Sequence, residues 1–374
     1  MIFEGPRRVV FGPGSVAGLG EEVKRLGGAK LLLVVDPVVA GLALFASVEA
    51  SLEEAGVEAV LFSDFQPEPA PEEADAGAAL ARSESCDLIA GLGGGSAMDV
   101  AKAIAALAAN PGRVEDYIGL DLVPGPSLPK IMIPTTAGTG SEATWTAVFT
   151  MRADKRKGGV NSSFLYPETA ILDPALTYEL PAEVSAYTGL DALAHAIEAF
   201  SARRANLISD MYALKAIELI GQNLALVVAQ GAAAPKAREG MLLGSFLAGK
   251  ALAGAGVGAC HGLAYPLGAF HGVGHGTANA LLLAHVMRFN ADALPQKLAA
   301  IAQALGLGPE ESVAEAVAEL ARTVNLPSSL REVGIPREAL EPMAEAALGV
   351  KLCLDNNPKS MSLEQIIKVY EAAY

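Results

Sequence analysis

DLIAGLGGGS, residues 87–96, runs from an apolar stretch straight into a cluster of glycines. Apolar runs of this length are typical of buried strands, and the pattern of residues 97–109 predicts a helix after the glycines. Glycine lets the backbone approach an anion closely, and the first turn of a helix presents free N–H groups. The stretch therefore predicts a strand, a loop and a helix that suit a pyrophosphate. The alternative interpretation is a glycine-rich turn without a ligand, and the spacing differs from the GxGxxG fingerprint.

Four other apolar runs have the same character. They cover residues 8–11, 30–35, 59–62 and 130–133. Continuous apolar strands that alternate with helical patterns are typical of a parallel sheet covered by helices on both faces. After about Pro181 the sequence turns into long Ala- and Leu-rich helical patterns. We therefore predict an α/β nucleotide-binding domain with a parallel sheet over residues 1–180, followed by an all-helical domain over residues 181–374 that binds metal and substrate.

Composition limits the classes of function. A chain of 374 residues with 52% hydrophobic residues is long enough for two cores. The formal net charge of −15 repels phosphate backbones, so we expect no nucleic-acid partner. Three widely spaced cysteines argue against a disulfide framework or a cysteine-based zinc site. The apolar residues 244–260 are interrupted by Lys250 and are expected to form a buried helix, and residues 1–8 lack a signal-peptide core. We expect a cytoplasmic protein without a membrane partner.

Two further features indicate a cofactor site at the ends of predicted strands. The loop PTTAGTGSE, residues 134–142, gathers hydroxyl and amide donors among glycines. Asp36 ends the strand at 30–35, where a carboxylate can accept hydrogen bonds from ribose hydroxyls and repel a 2′-phosphate. An Asp-Pro turn is the alternative interpretation of Asp36. With the first glycine loop, these features predict a dinucleotide crevice.

Asp191 and His195 are four residues apart in TGLDALAHAIE, residues 188–198, which has a helical pattern. The spacing places a carboxylate and an imidazole on one face of the helix, where they can bind one ion. The alternatives are a capping box of Thr188 with Asp191 and a core position for His195.

Three of the five histidines, His261, His271 and His275, are clustered in one segment. Proline and glycine residues between them are expected to break the helix and to bring His261 and His275 toward one point. The breaking residues are Pro266, Gly268, Gly272 and Gly274. Three imidazoles and a carboxylate suit Fe²⁺ or Zn²⁺, and such an ion can polarise a carbonyl while a nicotinamide accepts or gives the hydride.

Several long motifs resemble the iron-containing (group III) alcohol dehydrogenase family almost from end to end. They are GGGSAMDVAKA at 93–103, PTTAGTGSEAT at 134–144, AILDP at 170–174, GLDALAHAIEAF at 189–200, HGLAYPLGAFHGVGHGTANALLLAHVMRFN at 261–290 and NNPKSMSLEQIIKVYEAA near the C-terminus. The resemblance implies the dehydroquinate-synthase-like fold of this family, an α/β nucleotide domain followed by a helical domain. It implies a metal-dependent, NAD(P)-linked enzyme that interconverts a small alcohol with its aldehyde or ketone, commonly as a homodimer.

The resemblance also assigns site residues. It implies the metal ligands Asp191, His195, His261 and His275, with Fe²⁺ expected and Zn²⁺ as the alternative. It implies that nucleotide contacts fall on Asp36, Gly93, Gly94, Gly95, Ser96, Asp99, Thr135, Thr136, Ser141 and Lys157. In this family an acid at the position of Asp36 is associated with NAD, so NAD is favoured over NADP.

The chain departs from the family pattern at two positions. Many relatives carry a histidine four residues after the third metal ligand, and this chain has Tyr265 there. We expect a catalytic role for Tyr265, as a hydrogen-bond donor to substrate, and for His271, as the titratable group; the alternative for His271 is a supporting or surface position. The second departure is Glu68, where some relatives place an asparagine that touches the cofactor.

Two other activities are compatible with this architecture. A maleylacetate-reductase-like oxidoreductase needs positive charge for a dicarboxylate, and a dehydroquinate-synthase-like metal lyase needs several Lys and Arg side chains for phosphate and carboxylate. The helical half has no obvious set of such residues near its histidines. The sequence therefore favours the alcohol dehydrogenase activity over both.

Overall fold

The computed structural model describes residues 3–152, 156–308 and 310–374. Its strands are β1 (Arg8–Phe11), β2 (Lys30–Val35), β3 (Glu58–Phe62), β4 (Leu88–Gly93), β5 (Gly119–Leu120), β6 (Lys130–Pro134), β7 (Thr146–Met151), β8 (Arg156–Asn161) and β9 (Thr169–Leu172). Its helices are α1 (Leu19–Arg25), α2 (Pro37–Ala40), α3 (Phe45–Glu54), α4 (Pro71–Ser83), α5 (Gly95–Ala109), α6 (Ala182–Ser201), α7 (Leu207–Gln230), α8 (Pro235–Ala255), α9 (Ala259–His271), α10 (His275–Asn290), α11 (Pro295–Ala304), α12 (Val313–Thr323), α13 (Leu340–Leu348), α14 (Lys351–Asn356) and α15 (Leu363–Ala372).

The chain folds into two compact units. Unit 1 holds the residues up to Thr136 together with Gly140–Tyr178, and unit 2 holds Ala137–Thr139 together with Glu179–Tyr374. The three-residue segment of unit 2 lies in the middle of the loop at residues 134–142, which the sequence alone presents as one piece.

The main sheet of unit 1 has six parallel strands in the order β1-β9-β6-β4-β2-β3, which confirms the predicted parallel α/β fold. Successive side chains of a strand point to opposite faces of the sheet. Leu32 and Val34 of β2 accordingly belong to one apolar core, with α4 and α5, whereas Leu31 and Leu33 belong to the other, with α1 and α3. Both faces of β2 are buried, which explains why its sequence is continuously apolar.

A second sheet in unit 1 was absent from the sequence prediction. It has three strands in the order β5-β8-β7, with β7 antiparallel to β8 and β5 parallel to β8. β5 has only two residues, and β8 (RKGGVN) contains two glycines and two cations, so neither has the apolar character of a buried strand. Strand β9 was also absent from the prediction, although all four of its residues are buried.

The described part of unit 2 contains helices and no strand, as expected, and α6 is its central helix. Every residue of α6 from Gly189 to Phe200 is buried, and α6 packs against α7, α8 and α10. We expected residues 244–260 to form one buried helix; instead α8 ends at Ala255 and α9 begins at Ala259. Gly256 lies between them with a φ of 74°, in the left-handed region that favours glycine.

One described helix, Leu207–Ala233, is long and apolar enough by composition to cross a membrane. This range consists of α7 and the short turn after it. The bent pair α8 and α9 reaches that length and apolar character only when the two helices are taken together, and they meet at an angle of 105°. Core helices of folded proteins can be equally long and apolar, and α7 packs against α6 and α8.

Candidate functional site

The carboxyl ends of β2 and β4 form a switch point in the main sheet of unit 1. From β2 the chain continues through α3 to β3 on one side, and from β4 it continues through α5 to β6 on the other. Ligands of open parallel sheets bind in the crevice at such a point, outside the carboxyl ends of the strands. Asp36 follows β2 directly, and the glycine loop, residues 93–96, spans the end of β4 and the first residues of α5.

The loop after β4 is held by close backbone contacts. Gly93 has a φ of 151°, and a Cβ on it would lie 2.8 Å from the Cβ atoms of both Ala97 and Asp36, so only glycine fits. The N–H of Thr135 donates to the carbonyl of Gly93 at 2.9 Å. The Thr136 side chain would lie 3.6 Å from a Cβ on Gly94. The structure thus brings the two predicted loops together at the ends of β4 and β6.

The first turn of α5 suits an anion. Its N-cap, Gly94, makes no side-chain capping hydrogen bond, and its first turn contains no acidic residue. The backbone N–H groups at the start of the helix therefore have no carboxylate or hydroxyl cap from the N-cap residue.

Asp36 combines both of the interpretations offered for it. Its Oδ1 accepts a hydrogen bond from the N–H of Val38 at 2.9 Å, which caps the short helix α2 and makes an Asp-Pro turn. Its backbone N–H donates to Leu92 at 3.0 Å, so the residue lies beside the end of β4. The carboxylate is half-buried at the switch point, where a ribose would need an acceptor.

Lys157 and Ser96 are joined by Glu68, which the sequence singled out only as a departure from the family pattern. The Nζ of Lys157 lies 2.8 Å from Oε1 of Glu68, and the N–H of Glu68 donates to Oγ of Ser96 at 3.3 Å. Glu68 therefore contacts two of the predicted nucleotide-binding residues at once.

Asp99 and Ser141 contact each other. The hydroxyl of Ser141 donates to Oδ1 of Asp99 at 2.6 Å, and the N–H of Val148 donates to Oδ2 at 2.9 Å. The ammonium of the fully buried Lys102 lies 3.3 Å from Oδ1. These bonds tie α5 to the loop after β6, and direct contact of either residue with a cofactor stays a prediction.

Glu142 is a buried carboxyl group that was not identified from the sequence. It follows Ser141, is 1% exposed, and neither of its carboxylate oxygens has a hydrogen-bond partner among the described residues. Burial raises the pKa of Glu142 to about 7, although Lys102 opposes the shift.

A cluster of one carboxylate and three imidazoles lies in unit 2. Each of the four residues offers one ligand atom, and these atoms all lie within 4.8 Å of one another. The members of this cluster are Asp191 and His195 of α6, His261 of α9 and His275 of α10. The structure thus brings together all four side chains that the resemblance assigns to the metal.

Two local features bring the cluster together: the shared face of α6 and the break between α9 and α10. Asp191 and His195 share one face of α6, and Thr188 lies inside that helix with its hydroxyl bonded to the carbonyl of Val184 at 2.7 Å. The capping-box alternative is therefore wrong. α9 continues through Pro266 and Gly268 and ends at His271, so the expected break at these two residues is wrong as well. The break comes at Gly272, with a φ of 67°.

Electrostatics favour the ligand forms of Asp191 and His195, whereas at His261 burial lowers the pKa but the Glu198 carboxylate raises it above the ordinary value. Burial alone would raise the pKa of Asp191, but the neighbouring imidazoles of His195, His275 and His261 and the amide of Asn279 lower it to about 2. Burial lowers the pKa of His195, which favours the neutral imidazole. A carboxylate and neutral imidazoles are the states in which these side chains coordinate metal ions.

Two residues around the cluster were missed at the level of sequence. Glu198 accepts hydrogen bonds from Nδ1 of His261 at 2.5 Å and from the N–H of Cys260 at 2.6 Å. The amide nitrogen of Asn279 lies 2.7 Å from Oδ1 of Asp191 and 3.1 Å from Nε2 of His261. Both are buried. Their spacing was a usable signal, because Glu198 follows His195 by three residues and Asn279 follows His275 by four, one helical turn in each case.

Comparison with known proteins decides the family. Residues 6–174 match the family described as "Iron-containing alcohol dehydrogenase", and residues 185–374 match "Fe-containing alcohol dehydrogenase family, C-terminal". The chain belongs to the iron-containing alcohol dehydrogenase family. The resemblance inferred from the sequence is confirmed, and so is the activity class, oxidoreduction between alcohols and their carbonyl compounds.

Relatives of this iron-containing alcohol dehydrogenase cover the whole chain. It is 39% identical to long-chain-alcohol dehydrogenase 1 of Geobacillus thermodenitrificans, over 98% of this chain and 96% of that protein. It is 35% identical to the NAD-dependent methanol dehydrogenase of Bacillus methanolicus, over 98% of both chains. Among solved structures, a 1,3-propanediol oxidoreductase superposes with a TM-score of 0.95 at 35% identity, with 100% of each chain covered. These matches confirm the predicted fold class.

The two predicted catalytic residues occupy different surroundings in this iron-containing alcohol dehydrogenase. The Tyr265 ring lies 6.0 Å from the ring of His275, measured between centroids, and burial raises the pKa of its phenol far above the ordinary value. His271 is the half-buried last residue of α9 and is outside the group of four ligand atoms. The structure therefore places Tyr265 beside the cluster and gives no such contact for His271.

The polar neighbours of the cluster bear on the alternative activities. Glu198 and Asn279 carry no positive charge. A dicarboxylate or a phosphate would find no cationic partner in these two residues. The family match and the alcohol dehydrogenases among the relatives favour the alcohol dehydrogenase interpretation.

Proposed function

We propose that this family member interconverts a small alcohol with its aldehyde or ketone at a metal ion held by Asp191, His195, His261 and His275, with NAD as the hydride carrier. The observation that carries the proposal is the buried cluster of one carboxylate and three imidazoles, whose ligand atoms lie within 4.8 Å of one another. A buried carboxylate is costly unless positive charge compensates it, and a divalent ion would supply that charge.

The donor set fits the implied metal. One carboxylate oxygen and three imidazole nitrogens suit Fe²⁺, which we propose from the family, and they also suit Zn²⁺. When bound, the ion supplies Lewis-acid polarisation of the substrate oxygen. The protein orients the ligands: Glu198 accepts the Nδ1 proton of His261 and leaves Nε2 toward Asp191 and Asn279, and the Asn279 amide donates to Asp191.

Unit 1 supplies the proposed NAD site. The glycine loop and the first turn of α5 offer backbone N–H groups to the diphosphate, and Thr135 and Thr136 border the same loop. The Asp36 carboxylate would accept hydrogen bonds from ribose hydroxyls and repel the 2′-phosphate of NADP, so we propose NAD as the preferred cofactor. The relative from Bacillus methanolicus, described as NAD-dependent, supports this choice.

Tyr265 is proposed as a hydrogen-bond donor to the substrate oxygen. Its raised pKa means that the phenol keeps its proton at neutral pH, so the group can donate a hydrogen bond but is a poor general base. His271 is proposed as the residue that exchanges a proton with solvent, since it is the last residue of α9 and is only half-buried.

We also propose a homodimer in the cytoplasm. The dimer is supported by the family resemblance, and the compartment by Cys86, Cys260 and Cys353, which are all buried free thiols, as expected of a protein in a reducing environment.

The test is a steady-state scan of the purified chain after removal and restoration of metal. NADH and NADPH are each offered with short aldehydes, ketones and oxoacids, with Fe²⁺ or Zn²⁺ added back to the stripped protein. The proposal expects turnover of small aldehydes or ketones that requires a metal and prefers NADH. Failure of every metal to restore turnover with any carbonyl compound would overturn it, and turnover confined to dicarboxylates would favour the maleylacetate-reductase-like activity.

A further inference from the structure

Glu68 has a backbone conformation that glutamate rarely adopts. Its φ is 54°, in the left-handed region, which costs a residue with a long side chain free energy unless its surroundings hold it there. It lies in the loop between β3 and α4, beside the glycine loop of unit 1. Contacts with the surrounding residues must therefore hold Glu68 in this backbone conformation.

Contacts on both sides of Glu68 fix this loop. The N–H of Glu68 donates to Oγ of Ser96 in the first turn of α5 at 3.3 Å. The carbonyl of Pro69 accepts from the N–H of Thr150 in β7 at 2.8 Å. The loop is thus bonded on one side to the glycine-loop helix and on the other to the second sheet, and Glu68 cannot move far without breaking these bonds.

This conformation delivers the Glu68 carboxylate to Lys157. The Oε1–Nζ distance is 2.8 Å, with the Lys157 side chain only 10% exposed and that of Glu68 40% exposed. Lys157 is a cation beside the proposed diphosphate site, where an unpaired ammonium would attract the anionic cofactor. Glu68 neutralises much of that attraction, because the same ammonium cannot bond fully to both partners at once.

We propose that Glu68 is a positioning residue that weakens cofactor binding by competing with the cofactor for Lys157, and so speeds cofactor release. The inference rests on the proposed NAD site. When the cofactor binds, Lys157 exchanges the Glu68 carboxylate for an oxygen of the cofactor; when the cofactor leaves, the ion pair re-forms. A neutral side chain at position 68 removes the competitor and leaves Lys157 to the cofactor.

The experiment compares NADH binding by the holoenzyme and by Glu68→Gln, measured by NADH fluorescence titration and stopped-flow release. Glu68→Gln should tighten NADH binding about fivefold, mainly through slower release, because one negative charge near the ammonium is removed. The ratio of NADH affinities between Glu68→Gln and the wild-type protein should be smaller at high salt than at low salt, because salt screens Coulombic interactions. Glu21→Gln, an exposed residue of α1 with the same charge change, should leave NADH affinity unaltered.

A second background separates competition from a merely structural role. In Lys157→Met, binding should weaken, and adding Glu68→Gln to it should give no further gain, because no ammonium remains to release. If Glu68 only holds the loop, Glu68→Gln weakens NADH binding or leaves it unchanged, and the proposal is wrong. An equal gain in the Lys157→Met background would also overturn it.

Two further controls protect the interpretation. Glu68→Gly suits the left-handed backbone, brings no side chain that could contact the cofactor, and should give the same tightening if Glu68→Gln folds poorly, as judged by thermal unfolding. If the wild-type protein itself does not bind NADH, the proposed function fails, whereas wild-type binding with no tightening in either variant overturns only the role of Glu68.

Discussion

The glycine loop of unit 1, proposed to bind the nucleotide, and the Asp-His cluster of unit 2, proposed to bind the metal, are built from different parts of the polypeptide. The loop consists of backbone: Gly93 at a φ of 151°, the carbonyl that it offers to Thr135, and the uncapped first turn of α5. The cluster consists of side chains, with Asp191 and three histidines drawn from three helices. Adding a side chain to the glycine loop should therefore impair nucleotide binding, whereas removing a side chain from the cluster should impair metal binding.

The most damaging change to the cluster should leave the loop intact. In His275→Ala, a quarter of the donor set is lost, and metal affinity should fall at least about 100-fold, beyond the usual effect of an outer-shell residue. His275 is the first residue of α10 and its side chain is 29% exposed, so alanine should cost little stability there. Metal content after dialysis and NADH fluorescence are the two measurements. NADH affinity that falls together with metal content would show that the two sites are not independent.

The converse change is Gly93→Ala. The new Cβ would meet Ala97 and Asp36 at 2.8 Å and would also require a φ of 151°, so we expect a loss of about 2–4 kcal/mol in the stability of unit 1 and loss of NADH binding. Metal content should be unaffected. Gly94→Ala is the matched control, since its Cβ would be 3.6 Å from Thr136 and its φ is ordinary. Equal unfolding midpoints for the two variants would contradict the steric argument.

A smaller effect on metal affinity is expected at Glu198, which is hydrogen-bonded to His261 of the cluster. In Glu198→Gln the amide can keep the hydrogen bond from Cys260 but presents a donor to Nδ1 of His261, which shifts the ring proton to Nε2 and blocks that ligand atom. Metal affinity should fall about 10- to 100-fold in a chelator competition. Nitrogen NMR of His261 should report the changed tautomer. Glu183→Gln, an exposed residue of the same helix, is the control, and an unchanged tautomer in Glu198→Gln would refute the mechanism.

The strands of the two sheets differ in how far the sequence could predict them. Buried parallel strands such as β2 are apolar on both faces, so the bounds predicted for β2, residues 30–35, are those observed. β5 and β8 owe their pairing to partners far along the chain and carry no apolar pattern of their own. Local composition could not identify them, because tertiary pairing rather than intrinsic preference forms these strands.

The proposed metal ligands were easier to predict than the residues that form hydrogen bonds with them. The histidines were conspicuous because only five occur in the chain, and all four predicted ligands lie in the cluster. Glu198 and Asn279 are ordinary residue types in helices, and their role becomes visible only when α6, α9 and α10 are packed together. The Glu68–Lys157 pair is 89 residues apart in sequence, so no local pattern could join its members.

The short segment Ala137–Thr139 affects how this chain can be split into two fragments. It belongs to unit 2 although it is encoded within the stretch for unit 1, and a Cβ on Gly138 would lie 2.6 Å from Cβ of Thr188, one turn before Asp191. A truncation that starts at residue 179 would therefore produce a helical fragment with a bare patch on the helix that carries two ligands. We therefore expect that a split version of this enzyme recovers the proposed metal site by complementation between the two fragments rather than by expression of either half alone.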